Sequence, residues 1–191
     1  MQELINILNS FVPEDEDQIV NIKSFKQALE SFGEKIYSRD NFPAHVCSTA
    51  WVTNPERTKS LMGYHNIYRS FSWFGGHADG DLDLLKVAKK ELVEETSISN
   101  FKVLNNGMPI DFLTSAVLTH IKRGKRVPDH LHYDPIYLFE ISESEKFQIA
   151  IGENSAIKWV DNKEIMSLVD SKENESVKIV IRRILKNISK Y

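Results

Sequence analysis

The sequence has very little cysteine: Cys47 is the only one among 191 residues. An internal disulfide is therefore impossible, which is typical of a reducing compartment, and we expect a cytoplasmic protein in which Cys47 is a buried structural thiol. No apolar run approaches the roughly 18 residues that a membrane-spanning helix needs. Residues 1–5 also lack the basic and apolar pattern of a signal peptide. We therefore expect no association with a membrane.

The sequence also lacks an excess of charge of either sign. The formal net charge is -3, with 27% charged and 41% hydrophobic residues, values that are ordinary for a water-soluble globular protein. A general nucleic-acid-binding protein would be more basic, so we expect no nucleic-acid partner. Neither a phosphate-binding P-loop nor a Gly-x-Ser-x-Gly nucleophile motif occurs, which excludes two common classes of hydrolase.

The most distinctive stretch is a segment rich in glycine and aspartate, 75–83, followed by a predicted helix over 84–96. Glu91, Glu94 and Glu95 share one face of that helix, because residues three and four apart are neighbours. Like charges at this spacing cost about a few tenths of a kcal/mol per pair. The clustered acids could simply form a solvated helix face. Alternatively, they could bind Mg²⁺, which prefers carboxylate oxygens.

The spacing of the glycines and acids resembles the Nudix box, G-x5-E-x7-R-E-U-x-E-E-x-G-U, in which U is aliphatic. Six positions match: Gly76, Glu91, Leu92, Glu94, Glu95 and Ile98. Three depart, because Leu82 replaces the first Glu, Lys90 the Arg and Ser97 the last Gly. The Glu and Arg of the family are understood to brace the loop against the helix. Asp81 or Asp83 could pair with Lys90 and replace that brace, although lysine lacks the planar fork of arginine.

The resemblance implies the following site. Mg²⁺, or Mn²⁺ as a substitute, would be held by Gly76, Glu91, Glu94, Glu95 and Glu153. Several Nudix hydrolases have a metal-binding or base-forming Glu in the loop before a strand that carries a Trp, and Glu153 lies six residues before Trp159. We therefore predict Glu91, Glu95 and Glu153 as catalytic residues, with the general base either Glu91 or Glu153; a solvated loop is the alternative for Glu153.

Candidate substrate-binding residues flank the box. Arg123 and Arg126 lie in the densest basic cluster and could clamp a diphosphate, or form only a solvated hairpin tip. Trp73 could stack on a base or pack inside the protein.

Three histidines complete the predicted substrate site. His77 follows the box glycines, and His130 and His132 fall on one side of a predicted strand. The pair could suggest zinc, but with no cysteine nearby and the six histidines scattered along the chain, we favour contacts with the phosphates or the base.

The remaining pattern predicts helices over 1–12, from Asp15 to Gly33, over 161–168 and over 175–188, and strands over 45–53, 59–65, 112–121, 130–141 and 156–160. Residues 66–74 are predicted to connect two strands, and Pro135 to lie at a sheet edge or a bulge. Helices before, between and after the strands indicate a sheet covered on both faces. We predict the fold class α/β: a Nudix-type α/β/α sandwich with a mixed sheet, residues 41–191, preceded by an N-terminal helical extension, residues 1–40.

The predicted function is hydrolysis of a phosphoanhydride bond in a nucleoside diphosphate linked to another group, by metal-activated water. The partner would be this small-molecule nucleotide or diphosphate substrate. The helical extension could cover the domain, shape the substrate mouth, or pair with a second subunit in a homodimer. Two alternatives are an enzyme like isopentenyl diphosphate isomerase, which uses a catalytic Cys and Glu, and a non-catalytic Nudix ligand sensor.

Overall fold

The computed structural model describes residues 1–66, 69–122, 124–149, 154–169 and 175–191. These residues contain five α-helices: α1 (Gln2–Ser10), α2 (Glu16–Phe32), α3 (Leu84–Thr96), α4 (Ile165–Leu168) and α5 (Glu175–Asn187). They also contain ten strands: β1 (Ala44–Thr53), β2 (Lys59–His65), β3 (Ser70–Ser72), β4 (Phe74–His77), β5 (Lys102–Val103), β6 (Asp111–Val117), β7 (His120–Lys122), β8 (Lys125–Val127), β9 (His130–Glu140) and β10 (Asn154–Asp161). Within the described chain, every helix is too short or too polar to traverse a lipid bilayer.

The main sheet is mixed and has the order β10-β2-β1-β9-β5. Its centre is the parallel pair of β1 and β9, which sets His45 opposite His132 and Trp51 opposite Leu138. Antiparallel partners surround this pair: β4 lies along β1, and β6 lies along β9. Strands β7 and β8 form a separate hairpin. The predicted α/β fold with a mixed sheet and preceding helices is confirmed.

Alternate residues of β1 enter two different cores, because successive side chains of a strand point to opposite faces. Ala50 and Val52 pack in the core that α1, α2 and α3 cover. Trp51 packs in the core that α4 and α5 cover. The sheet is therefore covered on both faces, as the order of helices and strands predicts.

The N-terminal helices contribute to the same core as β1 and α3. Leu4 and Leu8 of α1 and Phe25 of α2 are buried there, and Phe25 stacks on Tyr133 of β9 with ring centroids 4.9 Å apart. Asp15 caps α2 by accepting a hydrogen bond from the Gln18 amide. The division into an extension and a domain stays a prediction, but the extension packs against the sheet.

Several local predictions are wrong. Pro135 lies within β9, a central strand, where the pairing with β1 is interrupted between Tyr133 and Ile136. The connection over 66–74 contains β3, because this segment pairs with β2.

The predicted strand over 112–121 is likewise divided, into β6 and β7, by a break that lets the second part form its hairpin with β8. The last strand, β10, begins earlier than predicted. Helix α4 begins at Ile165, later than the predicted residue 161, and has no side-chain N-cap.

Candidate functional site

The box glycines lie directly against the acids of α3. A methyl group built on Gly76 would fall 2.5 Å from the Glu91 carboxyl carbon, so only glycine leaves room for this carboxylate. The Glu91 side chain is only 12% exposed. The Gly-rich segment and the first box acid are thus brought together by the packing of β4 against α3.

Glu95 is the most enclosed acid of the box, at 4% exposure. Its carboxylate accepts one hydrogen bond from the backbone N–H of Gly75, at 2.8 Å, and a second from the side-chain amide of Asn154. These bonds fix the carboxylate beside the glycine segment.

Glu94 faces solvent, and Lys90 lies beside it. The Lys90 ammonium is 3.3 Å from Glu91 and 3.4 Å from Glu94. The predicted brace from Asp81 or Asp83 to Lys90 is therefore wrong. Asp81 pairs with Lys86 at 2.7 Å, and Asp83 is the N-cap of α3. Asp81 lies just before the helix and Asp83 is its cap, and both pair with residues close in sequence.

The box loop is instead held by the segment that precedes β1. The guanidinium of Arg39 donates two hydrogen bonds to the Asp79 carboxylate, at 2.5 Å each. The backbone N–H of Gly80 donates to the Tyr37 carbonyl at 2.8 Å. The planar guanidinium of Arg39 can donate to both oxygens of the Asp79 carboxylate, whereas a lysine ammonium cannot match this geometry. The loop is therefore braced by Arg39, which lies outside the box, and not by Lys90 as predicted.

Four histidines meet on the face of the sheet that also carries Trp51. His45 lies on β1, His77 on β4, and His130 and His132 begin β9. These histidines are scattered along the sequence but meet in the fold, and His45 was not among the predicted site residues. The alternation of β1 could have shown which face of the sheet His45 occupies. It could not have shown that His45 meets His132, because these residues are 87 positions apart.

His45 is 5% exposed and His130 7% exposed. Burial, together with the neighbouring His130, lowers the pKa of His45 to about 4. His45 is therefore a neutral imidazole near neutral pH, the form that binds metals. Further along the same face, burial raises the pKa of Asp134 to about 7, and Thr49 donates a hydrogen bond to that carboxyl group.

The remaining predicted residues lie around these two clusters. Trp73 is partly buried against Trp51, with ring centroids 6.0 Å apart. Arg126 is exposed on the β7–β8 hairpin, where its Nε donates to Thr119. Arg123 and Glu153 lie outside the described residues. Cys47 is buried as predicted, and burial raises the pKa of its thiol.

No family model and no curated protein matches the sequence. Solved structures do match. The Escherichia coli dihydroneopterin triphosphate pyrophosphohydrolase is 13% identical with a TM-score of 0.56, over 74% of this chain and 95% of that one. A Caenorhabditis elegans Ap4A hydrolase binary complex is 14% identical with a TM-score of 0.52, over 76% and 98%. The Nudix domain of Shewanella oneidensis NrtR, complexed with ADP ribose, is 16% identical with a TM-score of 0.52, over 80% and 94%.

These similarities define the class of fold. The chain has the fold of the Nudix hydrolases, which confirms the resemblance predicted from the box. At such low identity the likeness extends to the fold, whereas the activity of this chain has to be argued from its own residues.

Proposed function

We propose that this protein is a Mg²⁺-dependent hydrolase that cleaves a phosphoanhydride bond in a nucleoside diphosphate linked to another group. The observation that carries the proposal is the packing of the Glu91 carboxylate on Gly76, beside Glu95 held by Gly75. This arrangement gathers acids of the box at its glycines within a Nudix fold. Two of the similar structures are named for the hydrolysis of phosphoanhydrides, which agrees with this class of reaction.

The acids fit a hard divalent cation. Glu91 is partly buried, Glu94 is open to solvent, and Glu95 is held beside the glycines by the backbone N–H of Gly75. Oxygen ligands and an open side suit Mg²⁺, which retains water and binds phosphates. When bound, the ion would neutralise the diphosphate and lower the pKa of a bound water.

The chain's own residues would position the reactants. Glu91, or Glu153 beyond the described residues, would take the proton of the attacking water as the general base, a role that contributes roughly 10² to 10⁴-fold to the rate. Glu95 orients the glycine segment through Gly75. Arg123 and Arg126 would bind the phosphates. The predicted substrate contacts of His77, His130, His132 and Trp73 are not retained, because these side chains lie on the sheet face opposite to Gly76 and Glu91.

The test is a panel of nucleoside diphosphate derivatives assayed for product release with Mg²⁺ and with Mn²⁺. We expect hydrolysis of at least one member, and a fall of about 10²-fold or more for Glu91→Gln if it is the general base. Glu30→Gln, an exposed carboxylate on α2, is the matched control and should retain full activity. Metal-independent turnover, or a Glu91→Gln variant as active as the wild type, would contradict the proposal.

The two alternatives make different predictions on the same panel. A ligand sensor would bind a member without cleaving it. An isomerase of the isopentenyl diphosphate type would leave every nucleotide of the panel unchanged. The isomerase would also need a reactive thiol, whereas Cys47 is 5% exposed.

A further inference from the structure

The histidine cluster brings four imidazole rings to one end of a sheet face. The ring centroid of His45 lies 4.9 Å from that of His77 and 4.7 Å from those of His130 and His132. His77 and His132 are themselves 4.9 Å apart. The side chains come from three neighbouring strands, β4, β1 and β9, so the sheet fixes their spacing. His77 and His132 remain partly exposed, which leaves the cluster accessible from solvent.

The ring nitrogens of three of these histidines approach one another closely. Nε2 of His132 lies 3.0 Å from Nε2 of His45 and 3.1 Å from Nε2 of His130. A ring nitrogen carries either one hydrogen or one lone pair, so it can form only one good hydrogen bond. Nδ1 of His130 lies 2.8 Å from the Pro128 carbonyl and donates to it, which leaves a lone pair on its Nε2. The single hydrogen or lone pair on Nε2 of His132 can therefore serve either His45 or His130, but not both.

A cation between the rings would satisfy these nitrogens together. With Zn–N bonds of about 2.0–2.1 Å, two nitrogens of a tetrahedral site are about 3.3 Å apart. The observed Nε2 separations of 3.0 and 3.1 Å need only small adjustments to reach that value. Nitrogen ligands of His45, His77 and His132 all lie within 4.8 Å of one another. The bond from His130 to a backbone carbonyl is the support that metal-binding histidines commonly have.

We propose that His45, His77 and His132 bind one Zn²⁺ ion, with His130 as the fourth ligand. Imidazole nitrogens suit zinc and its transition-metal neighbours, whereas Mg²⁺ and Ca²⁺ prefer oxygen. The site is separate from the carboxylates of the box. Gly76 faces Glu91, and the next residue of the strand, His77, points to the opposite side. The proposal therefore does not depend on the hydrolytic function.

The test is zinc binding by the metal-stripped protein in the absence of substrate, measured by titration against a chromophoric chelator. We expect one equivalent of Zn²⁺ per chain, with no competition from millimolar Mg²⁺. His77→Ala and His132→Ala should each weaken binding by at least about 100-fold, beyond the 10- to 100-fold typical of losing a supporting contact. His130→Ala should also weaken binding, because it removes one of the four ligands. His65→Ala, a histidine on β2 outside the cluster, is the matched control.

Two further measurements make the result decisive. Co²⁺ added to the wild-type chain should give the intense visible absorption of a tetrahedral complex, and this readout does not rely on any variant folding correctly. Glu91→Gln should bind Zn²⁺ like the wild type. A weak octahedral Co²⁺ spectrum, equal zinc affinity in the wild type and His132→Ala, or loss of zinc from Glu91→Gln would each overturn the proposal. Unchanged affinity in His130→Ala would remove it as the fourth ligand.

Discussion

Gly75 and Gly76 are adjacent, but an added methyl group would meet different atoms at the two positions. At Gly75 it would lie 2.6 Å from the Ser48 carbonyl oxygen, which belongs to the backbone of the neighbouring strand. At Gly76 it would meet the end of the Glu91 side chain. Backbone in the middle of a sheet cannot withdraw, whereas a carboxylate can rotate away.

We therefore predict that alanine at position 75 lowers chiefly the stability of the protein, whereas alanine at position 76 weakens chiefly its metal binding. Gly75→Ala should lower the free energy of unfolding by about 1–3 kcal/mol or more, the usual cost of overpacking. Gly76→Ala should unfold at nearly the wild-type urea concentration but bind Mn²⁺ more weakly, because Glu91 is displaced. Urea denaturation and Mn²⁺ titration of both variants are the measurements. Equal Mn²⁺ affinity in Gly76→Ala and the wild type would show that the position of Glu91 is not needed.

The residues of the candidate site differ in how far the sequence could predict them. Glu91, Glu94 and Glu95 are close in sequence and on one helix, so their proximity follows from helical periodicity. The histidines come together only through the pairing of distant strands, and no local pattern contains that information. His45 in particular reads as one residue of an apolar strand.

At the scale of elements, the box loop depends on a contact that comes from outside the box. Replacing Arg39 by Lys keeps the charge but removes the two-pronged bond to Asp79. Because the pair is about half exposed, we expect a stability loss of only about 0–1 kcal/mol. Turnover on the substrate that the panel identifies should fall further than stability does, since the loop that carries Gly76 is less firmly held.

Lys59→Met is the matched control for Arg39→Lys. Lys59, the first residue of β2, forms an ion pair of similar exposure with Glu143, at 2.6 Å. Its removal should cost a similar small amount of stability and leave turnover unchanged. If Arg39→Lys turns over like this control, the Arg39–Asp79 pair does not position the loop.

Helices and strands could be predicted from the sequence where a single hydrophobic periodicity or a cap residue marks them. The helix over 84–96 agrees with α3, because the Asp83 cap and the Leu-rich stripe both mark it. The interior Pro135 misled the prediction because a proline usually excludes a central strand, yet the pairing around it is simply interrupted. The short strands β3 and β7 have too few residues for a periodic signal.

At the scale of the whole molecule, Arg183 joins both ends of the chain to the sheet. It donates to Asp111 of β6 at 2.7 Å and to Asp15 and Asp17 at the start of α2, at 2.6 and 3.0 Å. The Arg183 side chain is 5% exposed and that of Asp111 1% exposed. Removing one partner of a buried pair leaves an uncompensated charge and typically costs about 3–5 kcal/mol.

We accordingly predict that Arg183→Met lowers the free energy of unfolding by about 3–5 kcal/mol at pH 7. Burial raises the pKa of Asp111, and Arg183 opposes that rise. Without the arginine, the folded protein binds a proton at Asp111 more readily than the unfolded chain, so the deficit should shrink as the pH falls from 7 towards 5. Urea denaturation at several pH values measures this effect.

The neighbouring Arg182 provides the control for this substitution. It is 53% exposed and pairs with Glu175 at the surface of α5. Arg182→Met should change stability by no more than about 1 kcal/mol at any of these pH values. Similar losses in the two arginine variants would mean that the ends of the chain are not held through the buried ion pair.

The parallel pairing of β1 with β9 also has a consequence for how the chain is made. The paired residues His45 and His132 are 87 positions apart. At about 5–20 residues per second, a ribosome releases β1 roughly 4 to 17 seconds before its central partner. During that interval β1, all ten of whose residues are buried in the final structure, can find only its later neighbours β2 and β4. Such distant pairing slows folding, so the nascent chain spends seconds with this fully buried strand only half covered.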